Sequence, residues 1–406
     1  MIKRIKLKSG IDLIMDKFES VSSVSIGIWS KTGAINETKG INGISHYIEH
    51  MLFKGTSNRT SMDIASEVDS LGGQMNAFTG KEGTCFYIKC LNTNLFKCAD
   101  VLVDMIENPL FDEEEMEREK KVICEEIKMC FDDPTDLILD VTDEFVFGDS
   151  NLGNSVLGTE ETVNSITPET IRSYYANQYT KDSVFVSVAG SFDEEAVIDY
   201  FNSKFNDLLD TKEEPEDRIY AYEPKTKYLE KDIKQAHICL AKVGLSVESE
   251  AHYALAILSN LLGGSMSSRL FQNIREKRGL AYSVFSTASY YKGNGYFKIY
   301  AGVGKDKIDD ALEGIKEELD KLKTGEITKK EIESAREQLK SNYMFSLETV
   351  QGRMIVNGRS NLQCGRVPEQ NELIEKLNKV SHEDIINVSK NIYNISDYSL
   401  AVVRGK

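Results

Sequence analysis

Several features common in other protein classes are scarce in this 406-residue sequence. It has only 6 prolines and no run of apolar residues that approaches the length of a membrane span. Few prolines argue against long extended linkers, so we expect a densely structured chain. Apolar residues make up 41% and charged residues 28%, which is typical of a globular protein rather than a disordered one. The length exceeds that of one ordinary core and predicts two domains.

A basic surface is also missing. The formal net charge of −16 argues against nucleic-acid binding, which requires cationic side chains that displace phosphate counterions. Solubility is the simplest explanation of so acidic a balance. We therefore expect no nucleic-acid partner and no membrane partner.

The sequence also shows neither the cysteine spacing of a disulfide framework nor the pattern of a signal peptide. The seven cysteines are odd in number and show no CxxC spacing, which fits neither a disulfide framework nor a zinc knuckle. The N-terminal residues alternate apolar and charged side chains and then turn at Ser9-Gly10, so they predict a strand rather than a secretory signal. A cytoplasmic location is the expectation.

The sequence does contain an internal repeat. Thr167 and Ser381 both precede a helix pattern that leads to a strand, VFVSVAG in the first half and SLAVVRG in the second. Residues 111–116 match residues 327–332, and both segments resemble a capping box preceded by a hydrophobic residue. A weaker match relates residues 50–56 to 259–265. These matches predict an α+β protein of two homologous domains that arose by internal duplication.

Each domain is predicted to be a mixed, largely antiparallel sheet with helices packed on one face. The acidic, proline-containing stretch 210–217 marks the predicted junction. We place an N-terminal zinc-binding domain over 1–209, an acidic linker over 210–225, and a C-terminal homologous domain without metal over 226–406.

A metal-binding pattern lies in the first half. Residues 43–53 predict a helix in which His46, Glu49 and His50 share one face. Two imidazoles one turn apart can bind zinc, and the carboxylate beside them can accept a proton from the activated water. The bare HxxEH pattern also fits two histidines on a partly exposed helix. However, two of the five histidines in the chain lie in this single turn.

A third ligand is predicted in the helix from about Glu113 to Phe131. An apolar stripe there is flanked by Glu119 and Glu126, which lie seven residues apart on nearly the same face, whereas Glu125 points away. The alternative is that both flanking carboxylates only border the stripe and reach solvent. A carboxylate turned toward a core is costly unless a cation or a hydrogen-bond network meets it.

The repeat distinguishes these alternatives. At an offset of 216 residues, Glu119 and Glu126 correspond to Ala335 and Asn342, whereas the apolar stripe is kept. The weaker match likewise places Leu258 and Ser259 at the positions of Glu49 and His50. Packing therefore does not require the charged set, which predicts a metal site in the N-terminal half only.

These residues resemble the inverted zincins of peptidase family M16, which includes insulin-degrading enzyme, pitrilysin and the mitochondrial processing peptidase. The resemblance covers essentially the whole chain and is greatest for half-length bacterial members. His46, Glu49 and His50 match the family HxxEH, and Glu126 lies at the separation of its third ligand. Glu119 matches a carboxylate that supports the metal site.

The resemblance also implies a substrate-binding surface. Residues 72–79 resemble the edge strand that binds the substrate backbone, at Asn76, Ala77 and Phe78. Without the resemblance, that segment reads as an ordinary hairpin strand. Residues 263–271 are also typical of the family and are not a phosphate loop. Arg275 and Tyr282 match a pair that contacts substrate, although composition alone would make this a basic helix end.

The implied function is a zinc-dependent endopeptidase that hydrolyses short unfolded peptides inside a dimeric chamber. One zinc ion per chain would be bound by His46, His50 and Glu126. Glu49 would act as general base, with Glu119, Arg275 and Tyr282 assisting. The simplest assembly is a homodimer in which Arg275 and Tyr282 act in trans. A heterodimer with an inactive homologue, a non-catalytic subunit, and a hydrolase of non-peptide substrates are the alternatives.

Overall fold

The computed structural model describes residues 2–206, 208–211 and 221–406. The chain forms two compact units, and each combines segments that are distant in sequence. The first unit comprises Met1–Lys128, Asn154–Asp217 and Phe345–Glu369, and the second comprises Met129–Gly153, Arg218–Met344 and Gln370–Lys406. The linear boundaries at 209 and 225 stay a prediction, and most of the proposed linker, 212–220, lies outside the described residues.

The first unit contains a mixed sheet with the strand order β1-β2-β6-β3-β5-β4. Strands β2 and β6 run parallel, and the other neighbouring pairs are antiparallel. The strands are β1 (Lys3–Lys6), β2 (Asp12–Lys17), β3 (Ser23–Ser30), β4 (Gln74–Thr79), β5 (Thr84–Leu91) and β6 (Val184–Gly190).

Helices connect these strands and continue into the second half. In chain order they are α1 (Ile44–Leu52), α2 (Ser61–Ser70), α3 (Leu95–Glu107), α4 (Glu113–Asp132), α5 (Pro134–Phe147), α6 (Glu160–Ser165), α7 (Pro168–Gln178) and α8 (Glu194–Phe201). The second half adds α9 (His252–Gly263), α10 (Ile308–Lys323), α11 (Lys329–Ser346), α12 (Val350–Cys364), α13 (Gln370–Lys379) and α14 (His382–Ser389). None of the helices within the described ranges is long and apolar enough to cross a bilayer.

Within the described residues, the sheet of the second unit repeats the strand order of the first but has no counterpart of β1. Its order is β7-β11-β8-β10-β9, with β7 parallel to β11 and the remaining pairs antiparallel. These strands are β7 (Thr226–Lys231), β8 (Gln235–Val243), β9 (Ala281–Tyr290), β10 (Gly295–Gly304) and β11 (Ser399–Gly405). The predicted α+β fold with two similar, mixed sheets is confirmed.

The repeated helix starts follow from capping side chains. Thr167 accepts a hydrogen bond from the Thr170 amide, and Ser381 accepts one from the Asp384 amide, as the sequence predicts. Thr328 and Glu331 form a complete capping box with reciprocal bonds of 3.2 and 2.8 Å. Local sequence therefore sets the beginnings of these helices in both halves.

Each unit takes one covering helix from the other half of the sequence. In the first unit, α12 lies over β3 and β6, where the Ser187 hydroxyl donates to the Met354 carbonyl over 3.1 Å. Gly358 lies against Trp29, and a Cβ atom there would be 2.2 Å from the indole ring. In the second unit, α5 is anchored by Lys298, which donates to the Leu139 carbonyl and to Asp143.

Helix α12 covers the face of the first sheet that lies opposite α1 and α2. Side chains alternate between faces along a strand, so Gly27 and Trp29 of β3, which meet α12, point away from Ile26. Ile26 shares its face with Ile88, which lies close to Val68 of α2. The sequence pattern predicted helices on one face of each sheet only, so the helix on this second face was not expected.

Candidate metal centre

Helix α1 begins at a buried carboxylate. Glu37 accepts hydrogen bonds from the Gly43 amide at 2.8 Å, the Ser45 amide at 2.9 Å and the Asn42 side chain at 2.7 Å. Burial raises the pKa of Glu37 to about 7, against the lowering effect of these donors. Gly43 has a φ of +94°, and a Cβ atom there would meet the Leu157 carbonyl at 2.5 Å. The start of the helix is thereby fixed in position.

The apolar side of α1 is packed into the core, which directs its polar side to the opposite face. Tyr47, Ile48 and Met51 are buried. The Tyr47 hydroxyl donates to the Met116 carbonyl of α4 over 2.6 Å and so joins the two helices. The polar side chains of α1 then face Glu119 and Glu126, which lie further along α4.

His46, His50 and Glu126 converge as the sequence predicts. The Nε2 atoms of His46 and His50 lie 3.7 and 3.5 Å from one carboxylate oxygen of Glu126. One potential ligand atom from each residue lies within 4.8 Å of the others. A tetrahedral zinc ion with bonds of about 2.0–2.1 Å separates its donors by roughly 3.3 Å, so this donor set fits zinc with small adjustments. Among the described residues, this is the group that could hold a metal.

Glu119 supports His50 from behind. Its carboxylate lies 3.0 Å from His50 Nδ1, and its other oxygen lies 2.6 Å from Lys54 Nζ. A carboxylate at Nδ1 favours the tautomer whose Nε2 lone pair faces the metal position. Lys54 stabilises the buried carboxylate and was missed by the sequence analysis. Its position four residues after His50, just past the end of α1, is the signal that could have indicated it.

His46 is suited to act as a neutral ligand. Its side chain is largely buried, and burial, with a smaller effect from His50, lowers its pKa to about 4. The imidazole is therefore uncharged at neutral pH. An uncharged imidazole keeps a nitrogen lone pair for a metal ion.

The side chain of Glu49 connects α1 to the edge strand of the first sheet. The Thr79 hydroxyl, at the end of β4, donates a hydrogen bond to its carboxylate. Burial raises the pKa of Glu49 more than this hydrogen bond lowers it. A carboxyl group with a raised pKa is a better proton acceptor near neutral pH. Thr79 lies in the segment that the sequence analysis singled out, although its contact with Glu49 was not predicted.

Asn76, Ala77 and Phe78 lie in β4, which is at the edge of the first sheet. The Ala77 amide donates to the Asn76 side chain over 2.8 Å rather than to β5. This amide therefore faces away from the sheet, with only a local side chain as acceptor. The predicted edge position is confirmed, whereas peptide binding there stays a prediction.

Arg275 and Tyr282 lie together in the second unit. Arg275 is in a π-helical segment, Phe271–Lys277, and its guanidinium carbon lies 5.2 Å from the centre of the Tyr282 ring. Tyr282 is 77% exposed at the start of β9. Since the metal donors belong to the first unit, the role of this pair at substrate stays a prediction.

Comparisons with known proteins agree with this architecture. Residues 14–160 match the family model described as Insulinase (Peptidase family M16), and residues 165–339 match the one described as Peptidase M16 inactive domain. A protein from Bacillus subtilis (strain 168) named "Uncharacterized zinc protease YmxG" is 42% identical over 99% of this chain and 98% of its own length. "Uncharacterized zinc protease SCO5738" from Streptomyces coelicolor is 36% identical over 96% of this chain and 87% of its own length.

Solved structures show the same fold at low sequence identity. A protease from Helicobacter pylori superposes with a TM-score of 0.92 at 22% identity, covering 100% of this chain and 99% of the other. A peptidase M16 inactive domain from Pseudomonas fluorescens gives a TM-score of 0.89 at 16% identity, with coverage of 100% and 98%. With relatives of matching length and family models that span most of the sequence, the chain belongs to peptidase family M16, the insulinase family, in its half-length form.

Proposed function

We propose that this protein is a zinc-dependent endopeptidase that cleaves short, unfolded peptides. The observation that carries the proposal is the convergence of His46, His50 and Glu126 beside Glu49, whose carboxylate is bound to the edge strand through Thr79. Two imidazoles and one carboxylate leave a fourth position of a tetrahedral metal free for water or substrate. The names of the two relatives as zinc proteases support zinc as the metal, one ion per chain.

Each side chain of the site has a separate role in the proposed reaction. A zinc ion in this site supplies Lewis acidity, which lowers the pKa of water and polarises a carbonyl group. Glu49 accepts the proton of the attacking water and returns it to the leaving amine. Glu119, held by Lys54, orients His50, and the Thr79 hydroxyl holds Glu49 on the side of β4.

The peptide is proposed to lie along β4 as an additional antiparallel strand. The outward Ala77 amide, which now bonds only the neighbouring Asn76 side chain, can donate to a peptide carbonyl. Backbone pairing of this kind depends little on the peptide sequence. Because Glu49 bonds the last residue of β4, it lies where a peptide bound along that strand would reach the metal donors.

The test is hydrolysis of a mixed set of unfolded peptides by the wild type and by Glu49→Gln, with zinc measured in both proteins. We expect Glu49→Gln to keep its zinc and lose about 10²–10⁴-fold in kcat/KM. Glu125→Gln is the matched control, because Glu125 is exposed on α4 and, among the described residues, forms an ion pair only with Lys128. Absence of zinc and of cleavage in the wild type, even with zinc supplied, would refute the proposal.

We further propose a homodimer in which Arg275 and Tyr282 of one chain act at the metal site of the other. The exposed Tyr282 ring beside Arg275 supports this role, because the pair is available for a partner or a peptide. Mixing Glu49→Gln with Tyr282→Ala provides the test. If the sites are shared, subunit exchange restores about a quarter of the wild-type activity, since one of two sites is intact in half of the dimers. No recovery, or a monomeric mass by light scattering, would exclude the arrangement.

A cytoplasmic location completes the proposal. All seven cysteines lie in the described residues and none forms a disulfide bond, which agrees with a reducing compartment. Cell fractionation with immunodetection tests this location, and recovery outside the cytoplasmic fraction would contradict it.

A further inference from the structure

One ridge of α12 runs alongside the strand next to the edge. Gln351, Ile355, Arg359 and Gln363 follow one another at intervals of four residues, so their side chains share one side of the helix. Gln351 donates to the Tyr87 hydroxyl over 3.1 Å, and Gln363 donates to the Glu82 carboxylate over 3.3 Å. Both ends of the ridge are thus attached to β5 or the turn before it. Arg359 lies between these two attachment points.

Arg359 is exposed and makes no hydrogen bond or ion pair with any residue that the structure describes. The preceding residue, Gly358, lies against Trp29, which is paired with Cys85 across β3 and β5, so Arg359 is carried on α12 close to Cys85. Cys85 is paired with Phe78 across β5 and β4, and paired residues point to the same face. The Arg359 side chain is therefore on the face of the sheet that carries Phe78.

A peptide added to β4 would present every second side chain to this face. Neighbouring strands lie about 4.8 Å apart, so the added strand would be roughly 10 Å from Cys85, beyond Phe78. The length of an arginine side chain would allow Arg359 to reach from the ridge toward that position. Asn76 and Gln74 lie on the same face and are exposed, so the approach along β4 is open.

The charges on this face are mainly positive near the edge. Lys89 of β5 is paired with Gln74. Arg359 lies near Cys85, which is paired with Phe78, four residues after Gln74 in β4. Glu82 is the acid in the turn between β4 and β5, and it accepts a hydrogen bond from Gln363. The cationic edge contrasts with the net charge of −16 for the whole chain.

We propose that Arg359 is a specificity-determining residue that favours peptides with an acidic side chain on the α12 face, near the cleaved bond. This inference rests on the proposed binding of peptide along β4. Backbone pairing along β4 by itself depends little on the peptide sequence, and Arg359 would add a preference for one kind of side chain. A carboxylate beside an unpaired guanidinium gains a charge-assisted hydrogen bond that an amide does not match.

The experiment compares peptides that differ only by Glu, Gln or Lys at successive positions around the cleaved bond. We expect one position at which Glu is preferred over Gln by about threefold to fivefold in kcat/KM, the range of an exposed ion pair. The preference should fall to about one in Arg359→Gln and reverse toward Lys in Arg359→Glu. It should also weaken with salt. Arg118→Gln, another exposed helical arginine of the first unit, should keep the preference.

A second measurement does not depend on catalysis. Binding of the same peptides, labelled with a fluorophore, to Glu49→Gln and to Glu49→Gln/Arg359→Gln is followed by anisotropy at low salt. If peptides are cleaved but Arg359→Gln leaves the Glu preference unchanged, the inference fails and the proposed function stands. If nothing is cleaved but Glu peptides bind in an Arg359-dependent manner, the peptidase assignment fails alone. If no peptide is either cleaved or bound, both fail.

Discussion

Helices α1 and α9 occupy corresponding places in the two units, and they differ in what they present. Helix α1 presents His46, Glu49 and His50, whereas α9 has Leu255, Leu258 and Ser259 in the aligned positions, all of which are buried. The sheets beside them share the same strand order. The scaffold is therefore stable without the polar set, which indicates that the polar set serves chemistry rather than packing.

The two helices also contact their edge strands differently. Gly263, at the end of α9, approaches β9 so closely that a Cβ atom would lie 2.2 Å from the Ser286 amide nitrogen. In the first unit, α1 is joined to its edge strand by the hydrogen bond between Glu49 and Thr79. Close backbone packing fills this place in the second unit, whereas a polar side chain that can exchange a proton fills it in the first.

The largest expected effect comes from giving the first unit the residues of the second. Glu126→Asn copies Asn342 and removes a ligand, so we expect zinc affinity to fall by more than about a hundredfold. Glu119→Ala copies Ala335 and removes only the support of His50, which predicts a loss of about tenfold to a hundredfold. Competition with a chromogenic chelator measures both affinities.

Glu125→Asn serves as the control for these changes, because its exposed side chain lies on the same helix. Its zinc affinity should match that of the wild type. Equal affinities for Glu126→Asn and the wild type would contradict the assigned ligand set. They would also mean that the replacement of Glu126 by asparagine in the second unit does not explain a difference in metal binding between the units.

The second effect concerns how the two helices begin. Helix α9 starts at Ala251 without a side-chain cap, whereas α1 starts on the buried Glu37. The folded-state pKa of Glu37, about 7, exceeds the ordinary value of 4.5. Its contribution to stability is therefore complete below pH 4.5 and is lost as the pH rises through 7. The loss amounts to about 3 kcal/mol.

Glu37→Gln cannot titrate, so it isolates this contribution. We expect the free energy of unfolding of the wild type minus that of the variant to decrease by about 3 kcal/mol between pH 4.5 and 7.5. Urea unfolding with excess chelator in both samples measures it and keeps zinc out of the comparison. A difference that does not vary with pH would show that burial leaves the carboxyl group unperturbed.

The smallest expected effect concerns α12 and α5, the helices that each unit takes from the other half of the sequence. Helix α12 places Gly358 against the large Trp29, whereas α5 places Thr142 near the small Cys239, 3.7 Å between oxygen and sulfur. An added methyl group at Gly358 has no space, so Gly358→Ala should destabilise the first unit by about 1–3 kcal/mol. Trp29 is the only tryptophan, so its fluorescence during urea unfolding reports on this unit.

Gly40→Ala is the matched control, since a Cβ atom at Gly40 meets nothing within 4 Å. Its unfolding transition should remain close to that of the wild type. If Gly358→Ala unfolds at the wild-type urea concentration, the close contact between α12 and β3 is wrong.

Local patterns predicted the helices that carry the proposed metal ligands. The 3.6-residue periodicity located α4, where Glu119 is buried, Glu126 is half-buried and Glu125 is exposed, as the stripe indicated. Capping residues located the start of α7 at Thr167. These features depend on residues within one or two helical turns, which is the range over which sequence patterns are informative.

The remaining contacts join residues that are distant in sequence. Glu37 reaches Ser45 through a loop, Thr79 reaches Glu49 from a strand, and Lys54 reaches Glu119 on another helix. Periodicity gives the buried face of a helix but does not identify the sheet against which it packs. For the same reason the exchange of α5 and α12 between the two halves could not be predicted.

The placement of α12 has a consequence for protein synthesis. When the first 209 residues have emerged from the ribosome, all the proposed zinc ligands are present, but the sheet face at Trp29 has no helix over it. That face is covered only after the segment ending at residue 369 has been translated. The metal-binding unit thus matures late, and the nascent chain exposes an aromatic surface on which chaperones can act in the meantime.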